Sequence, residues 1–434
     1  MTTSQRNGEL EFLSLAEIRQ KQEILLKQHL VYAAGSSPFY KRLFESGGIE
    51  PGSVTMDSLK DIPFTDRQLF GEHNSDFLAV PMNGIVDIVL SSGTTGLPTS
   101  VMYTEKDLQR LAYNEQISFA SCGIIPEDIV LLTCTIDRCF IAGLAYFSGV
   151  RMLGAAAIRN GLASVESHLE IIRRLKPTVI VGVPTFLLKL GRYLESQGIS
   201  CSRTGVRKLV CIGEPIRDRK LGFIKAGEEL ESLWGARIYS TYASSETITS
   251  FCECTAQSGG HLHPELAIVE IIDESGQLLG ADEVGEVVVT PLGIEGMPLV
   301  RFRTGDISFL IDTPCDCGRN SVRLGPILGR KKQMMKIKGT TIYPESIYAV
   351  LDNIPGVSEY FITASSDYDL SDKVKIFVAV SDTACTEKFI LDRLQAMLRV
   401  TPEVAITTEE TVMRWRSAGN SRKIVRFIDD RKGI

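Results

Sequence analysis

The spacing of hydrophobic residues follows two different patterns in the first half of the chain. Over residues 15–46, apolar residues recur at helical spacing between Gln, Lys and Glu, and Gly35-Ser36-Ser37-Pro38 interrupts them, which predicts two helices. From about residue 85, short apolar runs alternate with amphipathic stretches. We predict buried strands at 86–90, 129–132, 178–183, 208–213 and 236–239, and helices at 165–175 and 184–196. This alternation is typical of α/β layers on a parallel sheet.

The pattern changes near residue 265. Two apolar runs, 267–273 and 285–290, are linked through the turn residues Glu274-Ser275-Gly276-Gln277 and predict an antiparallel β-meander. A basic segment at 331–339 follows. The remainder predicts strands near 359–364 and 373–381 and helices near 344–352 and 386–399. We therefore expect an α/β protein with parallel and mixed sheets, divided into a large domain over 1–330 and a small α+β domain over 331–434.

Length and composition narrow the class of protein. A chain of 434 residues is too long for one ordinary core, and 44% hydrophobic with 23% charged residues is typical of soluble globular proteins. The net charge of −6 argues against a general nucleic-acid surface. The first residues lack the apolar core of a signal peptide, and no uncharged apolar run reaches the roughly 20 residues that span a bilayer. We expect a cytoplasmic protein with neither nucleic acid nor membrane as partner.

A loop rich in Gly, Ser and Thr follows the strand predicted at 86–90. Its sequence is Ser91-Ser92-Gly93-Thr94-Thr95-Gly96-Leu97-Pro98-Thr99. Such a loop can gather backbone N–H groups and hydroxyls around an anion, and a polyphosphate is the obvious candidate. No Gly-Lys-Ser/Thr ends it, so it is not a Walker A loop. An ordinary turn is the alternative.

Four of the ten cysteines are paired in sequence. Cys252 and Cys254 form one Cys-x-Cys pair, and Cys315 and Cys317 form another, while His261 and His263 lie between the pairs. Without an export signal, free thiols or metal ligands are favoured over disulfides. Three thiolates and one imidazole make a good tetrahedral Zn²⁺ set, and free cysteines on two loops are the alternative.

Five segments, taken in order, resemble the motifs of the adenylate-forming (acyl-CoA synthetase) superfamily, and most of all its phenylacetate–CoA ligase branch. They are the 91–99 loop; Tyr242-Ala243-Ser244-Ser245-Glu246; Arg301-Phe302-Arg303-Thr304-Gly305-Asp306; Leu328-Gly329-Arg330 through Lys338-Gly339, continued by Ile342-Tyr343-Pro344-Glu345; and Arg422-Lys423-Ile424-Val425-Arg426. Thr99, where most of the superfamily has Lys, is typical of this branch. Ala243 and Arg422 depart from the pattern, because each replaces a usual Gly.

The resemblance implies a fold and an activity. It implies an N-terminal adenylation domain and a mobile C-terminal lid. Together they are expected to use ATP and Mg²⁺ to convert a carboxylic acid, by this resemblance an aromatic one, into an acyl-AMP and to pass the acyl group to coenzyme A. A carrier-protein phosphopantetheine thiol or an amine is the alternative acceptor, and the family often forms homodimers. A non-catalytic nucleotide sensor is disfavoured by the presence of both Glu246 and Lys423. A phosphohydrolase is also disfavoured, because the sequence contains no Walker B partner for the 91–99 loop.

The resemblance also assigns the nucleotide site residue by residue. Lys423 is the implied catalytic lysine, Glu246 the catalytic Mg²⁺ ligand and Asp306 the acceptor of ribose hydroxyls. The alternative for Lys423 is that it is one more cation in a basic run. The alternative for Glu246 is a surface Glu near a helix start, and that for Asp306 is an ordinary Asp in a turn. The full implied ATP-binding set is Ser91, Ser92, Gly93, Thr94, Thr95, Gly96, Gly213, Glu214, Pro215, Tyr242, Ala243, Ser244, Ser245, Asp306 and Arg330.

The remaining implied sites concern the acyl group, CoA and zinc. Lys332 is the hinge position, and Lys336, Lys338 and Gly339 line the CoA entry path unless the segment is only a basic linker. The acyl pocket is Phe140, Ala142, Gly143 and Phe147, which can equally be helix-packing residues. Some members of the branch hold a structural zinc, and the best-fitting ligands here are Cys254, His261, Cys315 and Cys317, with Cys252 and His263 left as spares.

Overall fold

The computed structural model describes residues 9–90, 99–337, 340–366, 372–382, 384–398, 401–417 and 425–431. The helices are α1 (Leu15–Ser36), α2 (Pro38–Gly47), α3 (Arg67–Glu72), α4 (Asn74–Phe77), α5 (Glu105–Ser121), α6 (Ala142–Leu153), α7 (Val165–Leu175), α8 (Pro184–Ser196), α9 (Lys225–Trp234), α10 (Pro344–Leu351), α11 (Glu387–Leu398) and α12 (Glu409–Ser417). A short 3₁₀ turn, Glu9–Phe12, precedes α1.

The strands of the first half are β1 (Thr65–Asp66), β2 (Asp87–Leu90), β3 (Ser100–Tyr103), β4 (Ile129–Leu132), β5 (Ala156–Arg159), β6 (Val179–Gly182), β7 (Lys208–Ile212), β8 (Arg237–Ser244), β9 (Thr249–Cys252), β10 (Gly260–His261) and β11 (Ala267–Ile272). The others are β12 (Gly285–Pro291), β13 (Phe302–Ser308), β14 (Leu310–Ile311), β15 (Arg323–Leu324), β16 (Gly329–Arg330), β17 (Met335–Ile337), β18 (Thr340–Ile342), β19 (Val357–Ser366), β20 (Asp372–Val380), β21 (Glu403–Thr407) and β22 (Phe427–Asp429).

A six-stranded sheet forms the centre of the first unit, in the order β5-β4-β6-β7-β8-β9. Its strands are parallel except β9, which runs antiparallel to β8. Helices α7, α8 and α9 cover one face, and α5 and α6 cover the other. Because both faces are covered, successive residues of each central strand are buried, which is why these strands are continuous apolar runs in the sequence. The predicted parallel α/β layer is confirmed.

The predicted β-meander is also confirmed. Strand β11 pairs antiparallel with β12, from Ala267 opposite Pro291 to Ile272 opposite Glu286. These strands belong to a mixed sheet of order β1-β13-β12-β11, in which β1 runs parallel to β13.

The strand predicted at 86–90 forms, but the prediction that it is buried is wrong. Within the described residues, strand β2 pairs with β3 alone, in a two-stranded antiparallel sheet. Val89 is buried, whereas Val86, Ile88 and Leu90 are exposed at 55%, 44% and 44%. An isolated pair of strands packs one face against the core and leaves the other to solvent, so alternate apolar residues remain uncovered.

The structure divides into two compact units. The first comprises Met1–Thr304 and Ser308–Ile327, and the second comprises Gly305–Ile307 and Leu328–Ile434. The second unit contains a four-stranded sheet, β21-β20-β19-β22, with α10 and α11 packed on one face and α12 on the other. The sequence predicted β19, β20, α10 and α11 but not β21, α12 or β22. Among the described residues, no helix combines the length and hydropathy that a bilayer crossing requires.

Arg301, from one of the five motifs, is a buried anchor of the first unit. Its side chain is 2% exposed, and its Nε and Nη2 both donate to the Glu270 carboxylate at 2.9 Å. Its Nη1 donates to the carbonyl oxygens of Lys60 and Ile62 at 2.5 and 2.7 Å, and its guanidinium lies 4.0 Å from the ring centre of Phe64. Arg301 therefore ties the 60–64 segment to β11.

Replacing Arg301 by alanine is expected to lower the free energy of unfolding by about 3–5 kcal/mol, because it leaves the Glu270 carboxylate buried without its counter-ion. Urea unfolding of the full chain measures the change. The matched control is Arg192→Ala, which removes an exposed pair with Glu229 and is expected to cost at most about 1 kcal/mol. Equal, small decreases in the free energy of unfolding of both variants would show that Arg301 does not anchor the unit.

Candidate active site and metal cluster

Glu246 lies in the tight connection between β8 and β9. The two strands pair up to Ser244 opposite Thr249, so residues 245–248 must reverse the chain. The Glu246 side chain is only 6% exposed; the Ser244 hydroxyl donates to its Oε2 at 2.7 Å, and Arg67 Nε lies 3.1 Å from its Oε1. The Tyr103 hydroxyl donates to the Ser245 carbonyl at 3.0 Å. The carboxylate is thus fixed in position by the hairpin and by two polar partners.

The residues predicted beside the adenine lie at the carboxyl ends of β7 and β8. Gly213 has φ 73°, in the left-handed region that favours glycine. Glu214 accepts hydrogen bonds from the Thr185 backbone N–H and hydroxyl at 3.0 and 2.9 Å, which fixes the turn against the start of α8. The Tyr242 ring stacks on Phe251 with centroids 6.3 Å apart. Ala243 pairs with Ser250 in the β8–β9 ladder, where an alanine is readily accommodated.

Asp306 and Arg330 come together within the second unit. They are paired residues of β13 and β16, and Arg330 Nε lies 3.2 Å from Asp306 Oδ1. The Asp306 side chain is 6% exposed. The strand pairing therefore explains why the two motifs, separated in sequence, provide neighbouring charges.

Glu345 is a third ionisable residue near Asp306 and Arg330, and the sequence analysis gave it no role. Burial raises the pKa of Glu345 to about 7, while Arg330 lowers it and Asp306 raises it further. Its Oε2 accepts no hydrogen bond from any residue that the structure describes. The motif pointed to the segment 342–345, but only the fold shows that Glu345 is partly buried, with a buried Oε2, near Arg330 and Asp306.

Several predicted residues lie outside the described part of the chain. They are Ser91, Ser92, Gly93, Thr94, Thr95, Gly96, Lys338, Gly339 and Lys423. The Lys336 backbone lies in β17, and Lys332 lies in an exposed 3₁₀ turn, Lys331–Gln333. All of these assignments stay predictions.

The segment that follows Lys423 is described from Val425 onward and is firmly anchored. Arg426 Nη1 donates to the Tyr360 hydroxyl at 2.9 Å, and the Arg426 guanidinium lies 5.8 Å from the Tyr348 ring centre. The Arg426 carbonyl accepts from the Ile362 backbone at 2.9 Å, immediately before β22 pairs with β19. The chain is therefore fixed three residues after Lys423.

Of the four residues predicted for the acyl pocket, Phe140 precedes α6, and Ala142, Gly143 and Phe147 lie within its first half. Ala142 and Phe147 pack against the core beneath the six-stranded sheet, and Phe140 is 37% exposed. A Cβ on Gly143 would stand 2.1 Å from the Thr135 carbonyl oxygen, so only glycine allows this close approach. Packing thus accounts for three of the four positions, and the pocket stays a prediction.

The four predicted zinc ligands are brought together in the first unit. The ligand atoms of Cys254, His261, Cys315 and Cys317 all lie within 4.8 Å of one another. Cys254 Sγ is 3.6 Å from Cys315 Sγ, and Cys317 Sγ is 3.3 Å from His261 Nε2. The other ring nitrogen, Nδ1, contacts the Ser321 hydroxyl at 2.9 Å, which leaves Nε2 facing the thiols.

The pKa values of His261 and Cys317 are shifted toward metal-binding protonation states, whereas burial raises the pKa of Cys254 to about 12. Burial lowers the pKa of His261 to about 4, so its imidazole is neutral near pH 7. Burial alone raises the pKa of Cys317, but hydrogen bonds from the Arg319 backbone and side chain outweigh it and hold that pKa below its usual value. A neutral imidazole and a thiolate are the forms that coordinate a metal ion.

The two spare residues have other partners. Cys252 lies in the core with Cys122. His263 Nδ1 contacts the buried Glu11 carboxylate, and its Nε2 contacts the Ser118 hydroxyl at 2.9 Å. Glu11 also accepts from Arg319 Nε at 2.5 Å, so the 3₁₀ turn before α1 is tied to the loop that carries Cys315 and Cys317. The sequence offered no signal for the role of Glu11.

Together, the α/β unit with its hairpin carboxylate and the small α+β unit define an enzyme of the adenylate-forming class. Residues 13–294 match the model of the AMP-binding enzyme family, and residues 339–431 match that of the AMP-binding enzyme C-terminal domain. The chain belongs to the AMP-binding enzyme family.

Named relatives and solved structures show which members of this class the chain resembles. The chain is 31% identical over 380 residues to phenylacetate-coenzyme A ligase of Thermus thermophilus, covering 86% of this chain and 84% of that protein. It is 28% identical over 397 residues to phenylacetate-coenzyme A ligase of Escherichia coli, covering 89% and 88%. Its fold is similar to that of a 2-hydroxyisobutyryl-CoA ligase in complex with R3-HIB-AMP, with a TM-score of 0.85, 20% identity and coverage of 99% and 94%.

These comparisons confirm three predictions from the sequence. The chain is a member of the adenylate-forming superfamily, in its phenylacetate–CoA ligase-like branch. It has the α/β fold with a C-terminal domain. It is an AMP-forming acid–thiol ligase.

Proposed function

We propose that the protein activates a carboxylic acid with ATP and transfers the acyl group to coenzyme A. In the first step, a carboxylate oxygen attacks the α-phosphorus of ATP, and the bond from that phosphorus to pyrophosphate breaks. In the second step, the CoA sulfur attacks the acyl carbon after losing its proton, and AMP leaves. The observation that carries the proposal is membership of the AMP-binding enzyme family, together with similarity to CoA ligases along most of the chain.

The fixed carboxylate of Glu246 fits a magnesium ligand. It is buried, it accepts a hydrogen bond from Ser244, and carboxylate oxygen is the hard donor that Mg²⁺ prefers. When bound, the ion neutralises phosphate charge and orients the leaving group. Glu246 holds this position through the hairpin geometry, and the Ser244 hydroxyl keeps the carboxylate oriented.

The other nucleotide contacts follow the motif assignments. The 91–96 residues bind the β- and γ-phosphates through backbone N–H groups and hydroxyls, and Asp306 accepts the ribose hydroxyls with Arg330 beside it. Gly213, Glu214, Pro215 and the 242–245 segment border the adenine. Lys423 neutralises the charge that develops where the two anionic reactants meet.

The second half-reaction uses the C-terminal unit differently. Lys332 acts as the hinge at which this unit turns after adenylation, and Lys336, Lys338 and Gly339 line the path for the CoA phosphates. The exposed turn that contains Lys332 supports this role. The turn is also held from the far end of the chain, because Arg431 Nη2 donates to the Lys332 carbonyl at 3.2 Å.

The acid that we propose is aromatic, and the acceptor is CoA. The relatives named phenylacetate-coenzyme A ligase and 4-coumarate–CoA ligase support both choices. The test is ATP-dependent formation of a CoA thioester from phenylacetate, followed by mass spectrometry, with a carrier-protein thiol or an amine replacing CoA in parallel reactions. Product with CoA alone is expected, and product only with another acceptor would overturn the CoA assignment. Homodimerisation and a cytoplasmic location stay predictions.

We propose further that Cys254, His261, Cys315 and Cys317 hold a structural Zn²⁺ ion. The donors match zinc chemistry, and all four side chains are occupied by one another or by Ser321 and Arg319, so a closed site is favoured over a catalytic one. The ion ties the loop after β9 to the 315–317 loop, which are about 60 residues apart along the chain.

Elemental analysis of the purified protein is expected to find about one zinc ion per chain. Cys315→Ser should lose the ion and lower the unfolding temperature, because a structural metal contributes directly to folding free energy. The matched control is Cys201→Ser, at a buried cysteine in a different core cluster, which should keep the zinc. A metal-free wild-type protein of normal stability would contradict the assignment.

A further inference from the structure

Arg67 contacts the carboxylate that we assign to magnesium. It is the first residue of α3, a helix whose start is capped by Asp66 Oδ1 accepting from the Leu69 backbone at 2.9 Å. Arg67 Nε lies 3.1 Å from Glu246 Oε1, and the two side chains are 34% and 6% exposed. A partly exposed arginine therefore provides the counter-charge of a buried carboxylate.

The same helix also contacts the end of the 91–99 sequence. Gly71 lies four residues after Arg67, on the same face of α3, and the Thr99 hydroxyl oxygen is 3.2 Å from where a Gly71 Cβ would stand. Immediately beyond, Asn74 Nδ2 donates to the Ser100 carbonyl at 2.9 Å, and the Ser100 hydroxyl donates to Asn74 Oδ1 at 2.6 Å. Helix α3 thus contacts both Glu246, through Arg67, and Thr99, beside Gly71.

The 91–99 sequence contains no Lys, Arg or His. Its hydroxyls and backbone N–H groups can donate hydrogen bonds, but they supply no positive charge to a triphosphate. An arginine guanidinium carries five N–H donors in a planar fork that matches phosphate oxygens and keeps its charge at every relevant pH. Arg67 is a cation in contact with Glu246, the carboxylate that we assign to the magnesium ion of the nucleotide.

We propose that Arg67 is a substrate-binding residue that exchanges partners during the reaction. This inference rests on the proposed function. Arg67 neutralises Glu246 through the contact described above. With a magnesium ion held by Glu246, that counter-charge would no longer be needed, and the Arg67 guanidinium would bind the β- and γ-phosphate oxygens. It then holds the pyrophosphate as the bond to the α-phosphorus breaks. Arg67 thereby supplies a positive charge that the 91–99 sequence does not contain.

The test compares ligands with and without the terminal phosphates. In Arg67→Ala, the affinity for Mg·ATP and for magnesium pyrophosphate, measured by calorimetry, is expected to fall about 10- to 100-fold, since a charge-assisted contact is lost. The affinity for AMP and the rate of thioester formation from supplied acyl-AMP and CoA should be unchanged, because neither involves pyrophosphate. Arg67→Lys should recover part of the loss. Arg42→Ala, which breaks an exposed pair with Asp76, is the matched control.

The possible outcomes distinguish a failure of the role proposed for Arg67 from a failure of the proposed function. Unchanged ATP and pyrophosphate affinity in Arg67→Ala would overturn it, and so would equal weakening of ATP and AMP, which indicates only a structural role for the Glu246 pair. Arg67→Gln, closer in shape, gives the same comparison if the alanine variant does not fold. A wild-type protein that binds neither ATP nor pyrophosphate would instead refute the proposed function itself.

Discussion

Lys423→Ala is expected to lower the rate of acyl-AMP formation by about 100- to 1,000-fold, the range found when one preorganised charge-stabilising donor is removed from an active site. The two reactants are anions, so an ammonium group at the α-phosphate lowers the barrier by offsetting charge in the transition state. Thioester formation from supplied acyl-AMP should stay close to the wild-type rate, because that step forms no bond to phosphorus. Rapid-quench assays of the two half-reactions measure both values.

The control for Lys423 is Lys375→Ala. Lys375 is also in the C-terminal unit, but it forms a surface pair with Glu403 at 3.1 Å and has no assigned role in catalysis. Both half-reactions should stay near wild type in this variant. If both fell together in Lys423→Ala, the lysine would not be specific to adenylation, and the proposed division of the two steps between arrangements of the C-terminal unit would be wrong.

Glu246→Gln is expected to lower adenylation by about 100-fold and to raise the Mg²⁺ concentration needed for half-maximal rate. Glutamine keeps the length of the side chain, and its amide oxygen can still accept from Ser244, but it lacks the charge that holds a divalent ion. A magnesium titration of acyl-AMP formation measures the shift.

Glu295→Gln is the comparison for Glu246, because Glu295 pairs with Lys106 at the protein surface. Its magnesium dependence should match the wild type. An unchanged magnesium requirement in Glu246→Gln would show that the buried carboxylate serves only the ion pair with Arg67 and does not bind the metal.

The central fold could be predicted because its strands are buried on both faces. Strand β4 occupies 129–132 as predicted, and β6 and β7 fall within the predicted runs, since continuous apolar sequence leaves few other interpretations. Strand β21 (Glu403–Thr407) was missed because it is only five residues long, and helix α12 (Glu409–Ser417) was missed because it is short and mostly polar. Their structure depends on packing against β20 and β19, which local sequence does not encode.

The metal cluster shows where sequence stops being informative. Cys252 and Cys254 are two residues apart and would share a face of a continuous strand, but β9 ends at Cys252. Cys252 therefore points into the core with Cys122, while Cys254 turns to the cluster. The choice of ligands came from the family resemblance, and only the three-dimensional arrangement shows why the spare residues are elsewhere.

Arg67, Arg301 and Glu345 have charged neighbours that the sequence did not reveal. Arg67 and Glu246 are far apart along the chain, as are Arg301 and the carbonyl groups of the 60–62 segment. A single charged residue has no periodicity, so nothing local separates a buried ion pair from a solvated side chain. These contacts exist only because β1 pairs with β13 and the β8–β9 hairpin closes.

The most direct test of the account is the exchange of labelled pyrophosphate into ATP, which reports reversible acyl-AMP formation without CoA. The purified protein with Mg²⁺ should catalyse exchange only when a suitable carboxylic acid is present, with phenylacetate and related aromatic acids giving the fastest rates. No exchange by the folded protein with any acid, across aromatic, hydroxy and straight-chain panels, would contradict the conclusion that this chain is an adenylate-forming ligase.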